Sequence, residues 1–274
     1  MKRHIPLRSR GFTIVEVLVA MTLTGSVVAG TLRALTAQKK FYARQARILD
    51  ARHAMRASAI ILASEFRDAS AVGGDLYSIS SDSVGLRSTV GFGIVCGIDA
   101  GTGRLSVKHT SGHFRTANGD SVLVYVENTN SDSDDTWRPA PVISISSSGP
   151  TCADASSADR HVYVSGSLVG VWIGAPVRLF HPYVYALFEM DGRWWLGRRN
   201  RADGPDYIPV AGPLAPPGDN GLELSYYDYQ TRLVMTDRMR VGRVEIAIRA
   251  PTDRTMSDPA YRDLSTATFL RNNR

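Results

Sequence analysis

From Phe12 to Leu32 the chain is apolar or weakly polar at every position but one, Glu16. This run of 21 residues matches the roughly 20 that cross a bilayer core as a helix at ~1.5 Å per residue. Residues 33 to 70 contain neither Gly nor Pro and are rich in Ala, Arg, Leu and Gln, so the helix is predicted to continue. Phe41, Ile48, Met55 and Leu62 recur every seven residues there, with Ile61 and Phe66 beside them, among Arg44, Arg47, Arg52, Arg56 and Arg67. The stripe is expected to pack on the domain that follows. Coiled-coil pairing fits less well, because Gln45 and Arg52 occupy the alternate seam positions. A continuous helix from Phe12 to about Ala69 would be roughly 85 Å long.

After Gly73-Gly74 the pattern changes to short alternating runs bounded by turn residues. Residues 121–126, 142–145, 161–164 and 177–180 read as strands, and 241–248 alternates cleanly as another. Tyr183 to Met190, Asp191-Gly192, then Arg193 to Arg198 reads as a hairpin, since Asp-Gly suits a two-residue turn. Gly91-Phe92-Gly93 followed by Gly97 reads as turns between strands, and Pro205, Pro209, Pro213, Pro216 and Pro217 read as a surface loop. The expected fold class is α+β, a long amino-terminal helix packed against a β-rich head. The expected segments are a basic leader 1–11, a membrane-spanning helix 12–32, an amphipathic continuation 33–72 and a globular head 73–274.

The net charge of +6 points to nucleic acid only until it is located. Lys2, Arg3, Arg8 and Arg10 supply four of those charges, and the body is nearly balanced. Cys96 and Cys152 are too few for a disulfide scaffold and lack zinc spacing; they are two buried thiols or one bridge.

Glu16 needs an explanation, because a carboxylate near the middle of a span costs about 2.5 to 3.5 kcal/mol on insertion scales. A secretory signal cut near Val27-Val28-Ala29, or a plain anchor, fits the basic start and the apolar run. Neither gains from a buried carboxylate. Cleavage after Gly11 would create an α-amino group four residues from Glu16, and an ion pair is better tolerated than a lone charge. The run Arg10-Gly11-Phe12-Thr13-Ile14-Val15-Glu16-Val17-Leu18 resembles the class III signal of type IV pilins and type II secretion pseudopilins. The resemblance is confined mainly to residues 8 to 34, with "STATFLRN" near the end similar to the closing strand of minor pilins.

That resemblance implies a pilin-like fold, cleavage between Gly11 and Phe12 by a prepilin peptidase, and methylation of the Phe12 amine. It implies that Glu16 meets the amino terminus of a neighbouring subunit. It also implies a single pass through the inner membrane, a periplasmic head, and later residence in a pilus or at the cell surface. The partners implied are other pilin or pseudopilin subunits and an inner-membrane assembly platform. A head of about 200 residues suits a minor subunit of the PilW or GspJ kind. Gly25 and Gly30 mark close helix packing or a stretch that loosens on assembly.

No Walker loop, HExxH, GxSxG or zinc-finger spacing occurs, so neither an enzyme nor a cofactor is indicated. Asn128 to Asp135 gathers oxygen ligands, with Asn130, Asp132, Asp134 and Asp135 as a weak calcium candidate, but it lacks the Gly and distant Glu of an EF-hand. Trp194-Trp195 with Arg193, Arg198, Arg199 and Arg201 could stack on single-stranded nucleic acid, although strand residues facing a core explain them more simply. The expected function is a minor pilin-like structural subunit of a type IV pilus. The alternatives are a pseudopilin of a type II secretion system and, in another class, a membrane-anchored ligand-binding module.

Overall fold

The computed structural model describes residues 13–114, 120–127, 135–201, 204–228, 230–231, 233–234, 236–252 and 260–270. Among the described residues are two short 3-10 turns, Pro217–Asp219 and Arg238–Arg240, and one α-helix, α1 (Ile14–Asp68), which precedes twelve strands. These are β1 (Leu76–Ile79), β2 (Ser83–Asp99), β3 (Arg104–Gly112), β4 (Ser121–Val126), β5 (Thr136–Ser146), β6 (Arg160–Val164), β7 (Pro176–Met190), β8 (Arg193–Asn200), β9 (Ile208–Leu214), β10 (Leu222–Asp228), β11 (Val241–Pro251) and β12 (Tyr261–Phe269). The fold is α+β. The chain divides into two compact units, Met1–Asp50 and Ala51–Arg274.

In the first unit the surface of α1 is exposed almost throughout. Its stretch near the amino terminus is long and apolar enough to cross a membrane. In the second unit α1 buries Ala51, Ala54, Met55, Ser58, Ala59, Leu62, Ala63 and Phe66. The spacing alternates between three and one, the signature of one helix face. The predicted stripe is therefore real from Met55 onward, whereas Phe41 is 58% exposed. Alanine makes up half of the buried face. Its single methyl lets a sheet approach the backbone closely, and the apolar heptad alone did not reveal that surface.

Strands β2 and β7 organise the second unit. Their distal halves close a ring of antiparallel pairs, β2-β3-β6-β5-β4-β7 and back to β2, which is a six-stranded barrel. Within it β4, β5 and β6 form a meander, and β7 returns to lie beside β4, a Greek key. Val95, Leu105, Val107, Val122, Val124, Val162, Val177 and Leu179 fill its interior. The other halves of β2 and β7 form the open sheet β1-β2-β7-β8-β9. Its inner face (Leu76, Val84, Leu86, Tyr185, Leu196) shares a second core with α1 and the sheet β10-β11-β12.

Glycine and proline mark where the two layers meet. Gly91, Gly93 and Gly97 lie inside β2, beside three register shifts, rather than in turns as the pattern predicts. A Cβ at Gly93 would stand 2.3 Å from Val107 Cγ1, so glycine is what lets β2 bend closely around the barrel. Residues 177–180 and 183–190, read separately from sequence, form one strand through Pro182. Along one edge of β7 the partner changes from β4, ending at Phe180, to β8, beginning at Tyr183. Pro182 sits in that gap, where its missing N–H interrupts no ladder, and its carbonyl accepts from the Arg201 N–H. The Asp191-Gly192 turn has φ of 54° and 66°, the left-handed pair that a two-residue hairpin requires. Pro209 and Pro213 belong to β9, not to a surface loop; β9 is an edge strand, where proline is tolerated, and Leu214 and Ala215 beside them are buried.

Polar contacts lock α1 to the open sheet. The Tyr185 hydroxyl donates to Glu65 Oε1 at 2.8 Å, and Ser88 donates to the other oxygen of the same carboxylate. Past the helix end, the Asp75 carboxylate accepts from the Ser70 N–H at 2.9 Å and pairs with Arg178 at 3.1 Å. Burial pushes the Asp75 carboxyl up, against the pull of Arg178. Phe66, fully buried, meets Tyr226 edge to face with centroids 6.5 Å apart. Tyr226 and Tyr77 donate to the carbonyls of Ser80 and Tyr183, each at 3.0 Å.

Phe66→Ala is expected to lower the stability of the full chain in detergent by about 3 to 5 kcal/mol, read by urea unfolding. Burial raises the phenols of Tyr185 and Tyr226 above the ordinary value of 10, and that of Tyr77 to about 12. A raised folded pKa means stability that is complete below pH 10 and declines as pH climbs through 12 and beyond. Phenolate absorbance should therefore rise together with the loss of tertiary structure; independent early titration of these phenols would contradict their burial.

Candidate functional site

Gly11 and Phe12 lie outside the described residues, and the structure begins at the cap of α1. Thr13 occupies the N-cap: its carbonyl accepts from the Val17 N–H at 3.2 Å and its hydroxyl from the Glu16 N–H at 3.3 Å. Thr13-Ile14-Val15-Glu16 has the spacing of a capping box, a signal in the sequence that the charge argument passed over. Glu16 thus stands in the first turn, where the partial positive charge of the helix end favours a carboxylate. Its side chain is exposed and lines a shallow groove with Val17, Ala20, Met21 and Thr24.

The other polar side chains of the span are all satisfied within the helix. Thr22, Thr24, Ser26 and Thr31 donate their hydroxyls to the carbonyls of Val19, Ala20, Thr22 and Val27 at 2.7 to 2.9 Å. In hydrocarbon this return to the backbone removes their need for water. Among the described residues of the span, the Glu16 carboxylate alone has no partner of this kind. At Gly25 and Gly30 a Cβ would meet nothing within 4 Å, so both leave bare backbone on the exposed helix surface.

Residues 6–32 match the family described as the prokaryotic N-terminal methylation motif. No curated protein and no solved structure matches the chain. The match covers about a tenth of the chain and supports a pilin or pseudopilin substrate of a prepilin peptidase. The apolar helix and this motif are together consistent with a membrane-anchored, pilus-associated protein.

The remaining sequence candidates lie in the second unit. Cys96 and Cys152 form a disulfide with Cα atoms 5.1 Å apart, both residues buried. The backbone supports it, since the Ala153 N–H donates to the Cys96 carbonyl at 2.9 Å. The bridge pins the connection between β5 and β6 onto β2. Asn130, Asp132 and Asp134 lie outside the described residues. Asp135 is described, and its Oδ2 accepts the Tyr125 hydroxyl at 2.7 Å. Among the described residues no three His, Cys, Asp or Glu side chains converge as metal ligands would.

Trp194 and Trp195 lie on β8 and are half-buried; the Trp195 ring packs on Gly212, where a Cβ would be 2.8 Å from it. The neighbouring arginines stack on tyrosines of this chain: Arg198 on Tyr183 at 4.4 Å, Arg199 on Tyr207 at 5.3 Å and Arg201 on Tyr77 at 5.6 Å. These ring faces are thereby engaged within the fold. The tyrosines were missed from sequence because they come from β1, β7 and the segment before β9.

Alkylation of the intact protein without reductant should label neither cysteine, and reduction should expose two. Because the bridge spans 56 residues, reduction should cost up to about 4 kcal/mol, seen as a lower unfolding midpoint.

Proposed function

We propose that this chain is a minor pilin-like subunit: a leader 1–11 is removed, Phe12 becomes the N-methylated amino terminus, and residues 12–32 hold the chain in the inner membrane until it joins a type IV pilus. Residues 33–68 continue the helix, a short turn follows, and 73–274 form the periplasmic head. The observation that carries the proposal is the Glu16 carboxylate, which lacks an intrahelical partner in a span where every hydroxyl has one. A carboxylate in that setting calls for a cation from outside its own helix. A processed Phe12 amine of a neighbouring subunit is such a cation, and the methylation motif over residues 6–32 supports its existence. The bare backbone at Gly25 and Gly30 supports close approach of a neighbouring helix.

In this role the chain performs no reaction. Its partners are a prepilin peptidase, other subunits of the filament and the assembly platform of the inner membrane. A pseudopilin of a type II secretion system would use the same residues, and the recovery of the protein from sheared surface filaments separates the two settings.

The test is the mass of the amino-terminal peptide from membranes and from sheared filaments. A chain beginning at N-methylated Phe12 in both is expected; one beginning at Met1 or after Ala29 would overturn the proposal. Glu16→Gln should still be cleaved and methylated, because neutralising the side chain removes the cost of holding a charge within the span. Its recovery in filaments should fall by about tenfold or more, the loss expected for one charge-assisted contact.

A further inference from the structure

The outer face of the open sheet, opposite α1, carries a cleft of about 490 Å³. Two glycines create its walls. A Cβ at Gly85 would stand 2.5 Å from the Tyr77 ring, and one at Gly197 would stand 2.5 Å from Phe188 and 2.9 Å from Tyr207. With only hydrogen there, the rings lie down on the sheet, Tyr207 stacked on Phe188 with centroids 5.6 Å apart. Val184 and Ala186, with short apolar side chains, lie between the walls. Arg199 and Arg201 line the same space, each guanidinium resting on a tyrosine ring and Arg199 further tied to the Gly204 carbonyl at 3.3 Å. Arg238 donates to the Tyr77 carbonyl, and Arg87 acts electrostatically on the Tyr77 phenol together with Arg199 and Arg201.

This concentration of positive charge is only partly offset: Asp75 acts electrostatically on Arg87. Among the described residues, none of Arg87, Arg199, Arg201 and Arg238 has a carboxylate within salt-bridge distance. Asp82 also lines the cleft, and its Oδ1 accepts from the hydroxyls of Ser80 and Ser83 at 2.8 and 3.2 Å. Guanidinium groups pre-set by stacking suit bidentate recognition of an oxyanion. Two of them match the double charge of a phosphate monoester, whereas a carboxylate or a phosphodiester carries one. The volume is that of a site for one small molecule, and the ring faces a stacked polynucleotide would need are already covered by arginine.

We propose that this cleft binds an organic phosphate monoester, the phosphate held by Arg199 and Arg201 and the organic body resting on Val184 and Ala186 between Tyr77 and Tyr207. The site makes the subunit a ligand carrier as well as a structural element. It uses none of the residues on which the filament role rests, so the two readings stand or fall separately.

The experiment is calorimetric titration of the full chain in detergent, at low salt and mildly alkaline pH, with phenyl phosphate, inorganic phosphate and a twelve-residue oligothymidylate. Phenyl phosphate should saturate one site and bind about tenfold more tightly than inorganic phosphate, since the body adds apolar contact. Arg201→Gln, at an exposed position, should weaken it by about tenfold or more. Ala186→Leu should weaken it by filling the cleft without altering charge, and Arg56→Gln on the exposed side of α1 should leave it unchanged. The proposal is overturned if phenyl phosphate fails to saturate, if inorganic phosphate binds equally well, or if neither Arg201→Gln nor Ala186→Leu has an effect. Preferential binding of the oligothymidylate, lost in Arg201→Gln, would replace it with a nucleic-acid site.

Discussion

A polar group withdrawn from water must find a partner, and in this chain that requirement shapes both units. In the β-rich unit it acts through the two long strands. β2 and β7 are 17 and 15 residues long, too long for any one neighbour, so each changes partners along its length. The result is a closed barrel at one end and an open sheet at the other, joined without leaving either strand unpaired. The glycines of β2 and Pro182 of β7 are placed where this exchange needs bending or a missing donor.

In the apolar part of α1 the same requirement is met by hydroxyls that return to the backbone. Glu16 stands apart from this economy of contacts. A carboxylate placed in the first turn by Thr13 gains from the helix end, yet its side chain makes no hydrogen bond within the helix. On the proposed reading of a filament subunit, the missing group is supplied by a neighbouring chain. The open sheet shows a second kind of incompleteness, Arg199 and Arg201 held by stacking on tyrosine and, among the described residues, without an ion-pair partner.

The Ala51–Asp68 segment of α1 joins these themes. Its alanine-rich face lets the open sheet and the β10-β11-β12 sheet close over it, and Glu65 fixes the register through Tyr185 and Ser88.

Much of this was legible from residue pattern because it depends on local chemistry. The apolar run, the helix through to Asp68, the Asp-Gly hairpin and most strand centres follow from periodicity and turn propensity, which neighbouring residues set among themselves. The peculiarity of Glu16 was likewise visible, since one charge in an apolar run needs no fold to be noticed. Closure of the barrel, the passage of β2 through three glycines and of β7 through Pro182, and the convergence of Tyr77, Tyr207, Arg199 and Arg201 were decided only in three dimensions. Each depends on which strand lies alongside another, and that choice is made by burial of side chains far apart in sequence rather than by any local preference.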